Sequence, residues 1–153
     1  MECTFGNFII EIDICRTKKF YNELSEIDCN CDGCRNYILA TDDFPLEVSK
    51  FFKSFCIDPK KATEIITWSS ENNGLSLHYG GFYHLCGFLI KGDDLWSNGI
   101  IDASEMYSIN HNYSIGFTKQ ISLLEKNLTF PALQMEIDFH SVPWKLNKIN
   151  KYV

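Results

Sequence analysis

The sequence contains no apolar run long enough to span a membrane. Hydrophobic residues make up 45% of its 153 residues, but polar side chains interrupt each stretch before it reaches about 18 apolar residues. The opening segment, MECTFGNFIIEIDI, also lacks the positively charged region of a signal peptide, and acidic residues divide its apolar part. We therefore expect a cytoplasmic protein without a membrane segment.

Positive charge is also scarce. The chain has 14 basic and 20 acidic side chains, which gives a formal net charge of −6. Nucleic-acid binding depends on clustered Lys and Arg side chains that neutralise phosphates. The one lysine-rich stretch, WKLNKINKY, is short and is predicted to be a solvated tail. We therefore expect no nucleic-acid partner.

The common catalytic motifs are missing as well. The sequence contains no G-x-S-x-G, P-loop or G-x-G-x-x-G pattern. Its four histidines are scattered, without the spacing of a metalloprotease. No catalytic residue is assigned, which favours a binding protein over an enzyme.

The composition is typical of one folded domain. With 22% charged residues and twelve Phe, the chain has enough apolar side chains to need a core. Its length suffices to bury one such core. Because neither a linker nor a repeat divides residues 1–153, we expect a single domain.

Several segments alternate apolar and polar side chains, which is the pattern of half-buried strands. FIIEIDI near the amino terminus is one, and EIITWSS and LSLHY flank the hairpin turn ENNG. LQMEIDFHSV near the carboxyl terminus is the clearest, and Pro143 should end it. In this strand we expect the four apolar side chains to point inward (Leu133, Met135, Ile137 and Phe139). The four polar ones should point outward (Gln134, Glu136, Asp138 and His140).

Two segments are predicted to be helices. DGCRNYILA begins with Asp32, which can cap a first turn, and DDFPLEVSKFFKSFC has apolar residues at helical spacing. The polar segment CRTKKFYNELSEID is interpreted as a connection with at most one short strand. The sequence thus predicts an α+β domain, a mainly antiparallel sheet of about five or six strands with two helices packed on one side.

The sharpest chemical feature is a cysteine cluster. Seven cysteines without an export signal indicate free thiols, and Cys29, Cys31 and Cys34 lie close together in CNCDGC. Structural zinc prefers four Cys or His ligands in a tetrahedron. The cluster supplies three, and His84, which shares a strand face with Cys86 in FYHLC, is the candidate fourth ligand. Zinc is accordingly the candidate cofactor.

Two other interpretations of the cluster stay open. Cys31 and Cys34, three residues apart at a helix start, could form a redox-active disulfide, although Asp28 and Asp32 oppose thiolate formation. The cysteines could also be small buried hydrophobic side chains, which is what we expect of the other four, among them Cys15.

Three segments, CNCDGCRNY, FFKSFCIDPKKATEI and VPWKL, together resemble a family of small uncharacterised bacterial proteins. These share a C-x-C-x-x-C-[RE]-N-[FY] segment, a helix, an ID-P turn and a carboxyl-terminal strand that ends in P-W. The resemblance covers most of the chain and implies a single cytoplasmic domain. It carries no established activity, so it transfers no catalytic residue.

The sequence therefore favours a non-enzymatic binding module whose partner is another protein. The acidic charge and the surplus of aromatic side chains support this hypothesis, and by analogy of composition it includes an immunity-type inhibitor of a basic toxin. The alternative is a zinc-stabilised or thiol-redox domain built on the cysteine cluster.

Overall fold

A computed structural model describes residues 1–92, 95–97 and 100–152. In this part of the chain, seven antiparallel strands form one sheet, two further strands form a short ribbon, and three helices are present. The elements are β1 (Glu2–Phe5), β2 (Phe8–Ile12), α1 (Ile14–Glu23), α2 (Asp32–Ala40), α3 (Leu46–Ser54), β3 (Glu64–Glu71), β4 (Ser76–Lys91), β5 (Trp96–Ser97), β6 (Ile100–Ile101), β7 (Tyr107–Asn110), β8 (Tyr113–Thr118) and β9 (Ala132–Pro143).

The long strand β4 organises the sheet. It pairs with β9 along one edge, and along the other it pairs first with β3 and then with β2. The main path runs β1-β2-β4-β9-β8-β7, and β5 pairs only with β6. The predicted α+β class with an antiparallel sheet is confirmed, and the described residues contain one helix and at least one strand more than expected.

The additional helix is α1, in the segment for which the sequence predicts a connection with at most one short strand. Its start is capped by Asp13, whose carboxylate accepts a hydrogen bond from the Arg16 N–H at 3.0 Å. Thr17, Phe20 and Tyr21 form its buried stripe. The prediction was wrong because a stripe this narrow is masked by the lysines and acids around it.

One face of the sheet carries the aromatic core that packs against α2 and α3. Tyr79, Tyr83 and Phe139 project from β4 and β9 on this face, where their rings meet Tyr37 of α2 and Phe52 of α3. The hydroxyl groups of Tyr37 and Tyr83 are hydrogen bonded at 2.6 Å in a fully buried site. This core fixes α2 over the sheet and thereby positions its first turn.

The opposite face of the sheet is less exposed than the sequence predicts. The expected outward orientation is wrong for Gln134 and Glu136, which are 0% and 3% exposed. Segments distant in the chain cover them: the Ser122 N–H donates to the Gln134 side chain at 2.8 Å, and Leu95 lies against Gly116. Alternation in one strand cannot reveal such a cover. Among the described helices, none has the length and apolar character needed to cross a bilayer.

Candidate metal centre

The first turn of α2 holds the cysteine cluster. Cys31, rather than the predicted Asp32, is the N-cap, and its Sγ accepts a hydrogen bond from the Cys34 N–H at 3.4 Å. Asp32 lies in the first turn, where its carboxylate is 3.6 Å from Arg35 and 3.1 Å from Lys148. The backbone thus directs the Cys31 sulfur toward the positive end of the helix dipole.

The three sulfur atoms converge. The Sγ atoms of Cys29, Cys31 and Cys34 lie within 4.8 Å of one another, and those of Cys29 and Cys31 are 3.3 Å apart. In a tetrahedral thiolate site with Zn–S distances of about 2.3 Å, sulfur atoms are about 3.8 Å apart. Small side-chain rotations therefore suffice, and the predicted cluster has a geometry compatible with a metal ion.

The environments of the thiols differ. Cys29 and Cys31 are exposed, whereas Cys34 is buried. Burial acts to raise the pKa of Cys31, but hydrogen bonds from the Cys34 N–H, from the thiols of Cys29 and Cys34 and from Tyr152 outweigh it, so the pKa is lowered. Burial and the neighbouring thiols raise the pKa of Cys34. The ionised form of Cys31 is thus favoured relative to an ordinary thiol, whereas that of Cys34 is disfavoured.

The carboxyl-terminal segment is part of this site. The Tyr152 hydroxyl accepts a hydrogen bond from the Gly33 N–H at 2.9 Å, and the Gly33 carbonyl accepts one from Tyr79 at 2.7 Å. A side chain at Gly33 would overlap Thr67 and press on Tyr152. The tail, which the sequence analysis treated as solvated, is therefore held against the first turn of α2.

His84 lies apart from the cysteines. Its ring projects from the face of β4 opposite to Tyr83, and so opposite to α2. Both ring nitrogens have partners: Nε2 is 3.0 Å from the Gln134 carbonyl oxygen, and Nδ1 is 3.3 Å from the Thr63 hydroxyl. Burial lowers the pKa of His84, which favours the neutral ring. Within the described residues, the group of converging ligand atoms at α2 consists of the three cysteines alone.

The structure also corrects one expected burial and reveals a second cluster. Cys15 is exposed rather than buried. His78, Asp138 and His140, which the sequence analysis treated as separate residues, have ligand atoms within 4.8 Å of one another. The spacing of Asp138 and His140 on one strand face was the available indication. The position of the third residue, His78, depends on the pairing of β4 with β9, and the sequence did not define this pairing.

No protein-family model matches the chain, and neither a curated protein nor a solved structure is significantly similar to it. The resemblance to a bacterial family consequently stays a prediction. The function has to be argued from the site.

Proposed function

We propose that the protein is a non-catalytic binding module in which Cys29, Cys31 and Cys34 hold a zinc ion. The surface around this ion, which the ion stabilises, recognises another protein. The observation that carries the proposal is the convergence of the three sulfur atoms within 4.8 Å. Thiolate is the ligand that selects zinc and other soft metals. We place the protein in a reducing cytoplasm, because the site needs free thiols, and all seven cysteines carry them.

Three protein ligands leave one position of a zinc tetrahedron open. Since Cys29 and Cys31 are exposed, that position can be reached from solvent by water or by a ligating side chain of a partner. A bound ion would join the segment before α2 to its first turn, beside the carboxyl-terminal segment held there by Tyr152. Zinc would in this way order the surface that the partner contacts.

The charge of the chain sets the kind of partner. With 20 acidic and 14 basic side chains, the net charge is −6, which favours a basic protein surface and fast, salt-dependent association. The immunity-type inhibitor of a basic toxin is one member of this class. The resemblance of this chain to small bacterial proteins would fit the same proposal.

The test is zinc content. Reduced full-length protein, purified without chelator, is compared with Cys31→Ser and with the control Cys15→Ser, which changes another exposed thiol. We expect Cys31→Ser to hold one zinc equivalent fewer than the wild type, with affinity reduced by more than the roughly 100-fold that loss of an outer-shell contact costs. Cys15→Ser should retain wild-type zinc. Equal zinc in all three proteins would refute the site.

A second function is favoured by a specific observation, the contrast between Cys31 and Cys34. An exposed thiol with a lowered pKa beside a buried thiol with a raised pKa is the arrangement of a thiol–disulfide exchange pair. The Cys31 thiolate would attack a substrate disulfide, and Cys34 would then displace the second substrate thiol, leaving a Cys31–Cys34 disulfide. Thiol titration before and after treatment with a small disulfide oxidant tests this function. Loss of two thiols in the wild type, but not in Cys34→Ser, supports exchange. Protection of those two thiols by bound zinc supports the metal function.

A further inference from the structure

A second cluster of ligand-type side chains lies where β4 meets β9. His78 Nε2 is 2.5 Å from one carboxylate oxygen of Asp138, and His140 Nε2 is 3.5 Å from the other. The two imidazole rings are stacked, with centroids 3.8 Å apart and planes inclined by 15°. One carboxylate therefore lies between two ring nitrogens contributed by neighbouring strands.

Glu71 holds His140 from the other side. Its Oε2 is 2.9 Å from His140 Nδ1, and its Oε1 accepts a hydrogen bond from the Ser141 N–H at 2.7 Å. A carboxylate bonded to one ring nitrogen of a histidine is the outer-shell arrangement that orients histidine ligands of metals.

This hydrogen bond has a consequence for the other ring nitrogen. With Nδ1 bonded to Glu71, Nε2 is the His140 nitrogen that faces the Asp138 carboxylate and can ligate a metal ion. The side chains of His78, Asp138 and Glu71 are 22%, 24% and 27% exposed, and that of His140 is 41% exposed. An ion can therefore enter from solvent.

We propose that His78, Asp138 and His140 bind a divalent transition-metal ion, with Glu71 as the positioning residue for His140. The three ligand atoms already lie within 4.8 Å of one another, against about 3.4 Å in a tetrahedral site with metal–nitrogen distances near 2.1 Å. Rotation of the two rings and of the carboxylate would adjust these separations. Two imidazoles with one carboxylate favour Zn²⁺, Co²⁺ or Ni²⁺ over Mg²⁺ and Ca²⁺, which prefer oxygen ligands alone.

The metal position borders a cleft. Asp138 also lines a cavity of about 540 Å³ whose walls include Ile66, Trp68, Phe82 and Met106. Three protein ligands leave coordination positions open. A small molecule in the cavity would lie next to the ion, which makes this centre different in kind from the thiolate site.

The test is a calorimetric titration of reduced, metal-free, full-length protein with Zn²⁺. The wild type should bind two equivalents, and the double variant His78→Gln/His140→Gln should bind one, with its fold checked by circular dichroism. His111→Gln, which changes an exposed histidine hydrogen bonded to its neighbour Asn112, should still bind two. A double variant that binds as many ions as the wild type, with unchanged affinity, would overturn the proposal.

Glu71→Gln provides the second, milder variant. A glutamine can still accept the Ser141 N–H, but its amide would face His140 Nδ1 and favour the tautomer with the proton on Nε2. We expect a 10- to 100-fold weaker second equivalent without loss of the first, and unchanged affinity would count against the proposal. In a titration with Co²⁺, the ion bound at the histidine site should add no thiolate-to-cobalt charge-transfer absorption. If this absorption grows with every bound equivalent of Co²⁺, all binding is by cysteines and the histidine site is overturned.

Discussion

The Tyr152 hydroxyl accepts a hydrogen bond from the Gly33 backbone N–H at 2.9 Å. This contact joins the carboxyl-terminal segment to the first turn of α2, the turn that contains Cys34 and is capped by Cys31. The same hydroxyl lowers the pKa of the Cys31 thiol. The reactivity of the cluster therefore depends on a residue far away in the chain.

Replacing Tyr152 by Phe should raise the pKa of the Cys31 thiol. The hydroxyl stabilises the thiolate, so without it the thiolate fraction at a given pH falls and alkylation of Cys31 moves to higher pH. Peptide mapping after timed alkylation from pH 6 to 10 measures this shift. Tyr107→Phe, at an exposed tyrosine of β7, should leave the profile unchanged. Coinciding Tyr152→Phe and wild-type profiles would refute the role of the hydroxyl.

Gly33→Ala should destabilise the fold. The added Cβ would overlap the Thr67 hydroxyl and press on Tyr152, and overpacking of this kind costs about 1–3 kcal/mol. Urea denaturation measures the free energy of unfolding. The double variant Gly33→Ala/Thr67→Ala removes the obstructing hydroxyl and should recover part of the loss relative to Thr67→Ala alone. Strictly additive effects of the two substitutions would contradict the predicted overlap.

The buried tyrosine pair predicts an asymmetry. Tyr83 donates to the Pro59 carbonyl at 2.8 Å and lies 2.6 Å from the Tyr37 hydroxyl, so Tyr83→Phe leaves both partners unsatisfied and should cost about 1–3 kcal/mol. Tyr37→Phe leaves the bond from Tyr83 to Pro59 intact and should cost less. Chemical denaturation of the two variants compares them, and equal losses, or a larger loss in Tyr37→Phe, would contradict this hydrogen-bond assignment.

Zinc binding should weaken as the pH falls. Burial and the neighbouring thiols raise the pKa of Cys34, so this thiol is protonated at neutral pH and must lose its proton when the metal binds. Each such proton changes the apparent affinity about tenfold per pH unit below the pKa of the thiol. Competition with a chromophoric chelator at pH 6.5 and 7.5 should show at least this change. Affinity independent of pH would indicate that Cys34 is not a ligand.

Local patterns predicted the parts of the molecule that depend on local geometry. Alternation in β9 placed Leu133, Met135, Ile137 and Phe139 inward, and all four are buried, while the close spacing of the cysteines anticipated their convergence. The cover over Gln134 could not be predicted, because it includes Ser122, which lies outside the strand.

The histidine cluster escaped prediction for a similar reason. His78 reaches Asp138 because β4 pairs with β9 in a register that places Gly80 opposite Asp138, and the sequence of one strand does not show its partner or its register. The contact of Tyr152 with Gly33 likewise joins residues separated by 119 positions. Both contacts depend on the assembled tertiary structure, and the sequence of a single segment does not predict them.

X-ray absorption at the zinc edge tests the central claim most directly. Protein loaded with a single equivalent of Zn²⁺ should show three sulfur ligands at about 2.3 Å and one nitrogen or oxygen ligand at about 2.0 Å, because the thiolates of Cys29, Cys31 and Cys34 bind zinc first. A first shell made only of nitrogen and oxygen would contradict the account.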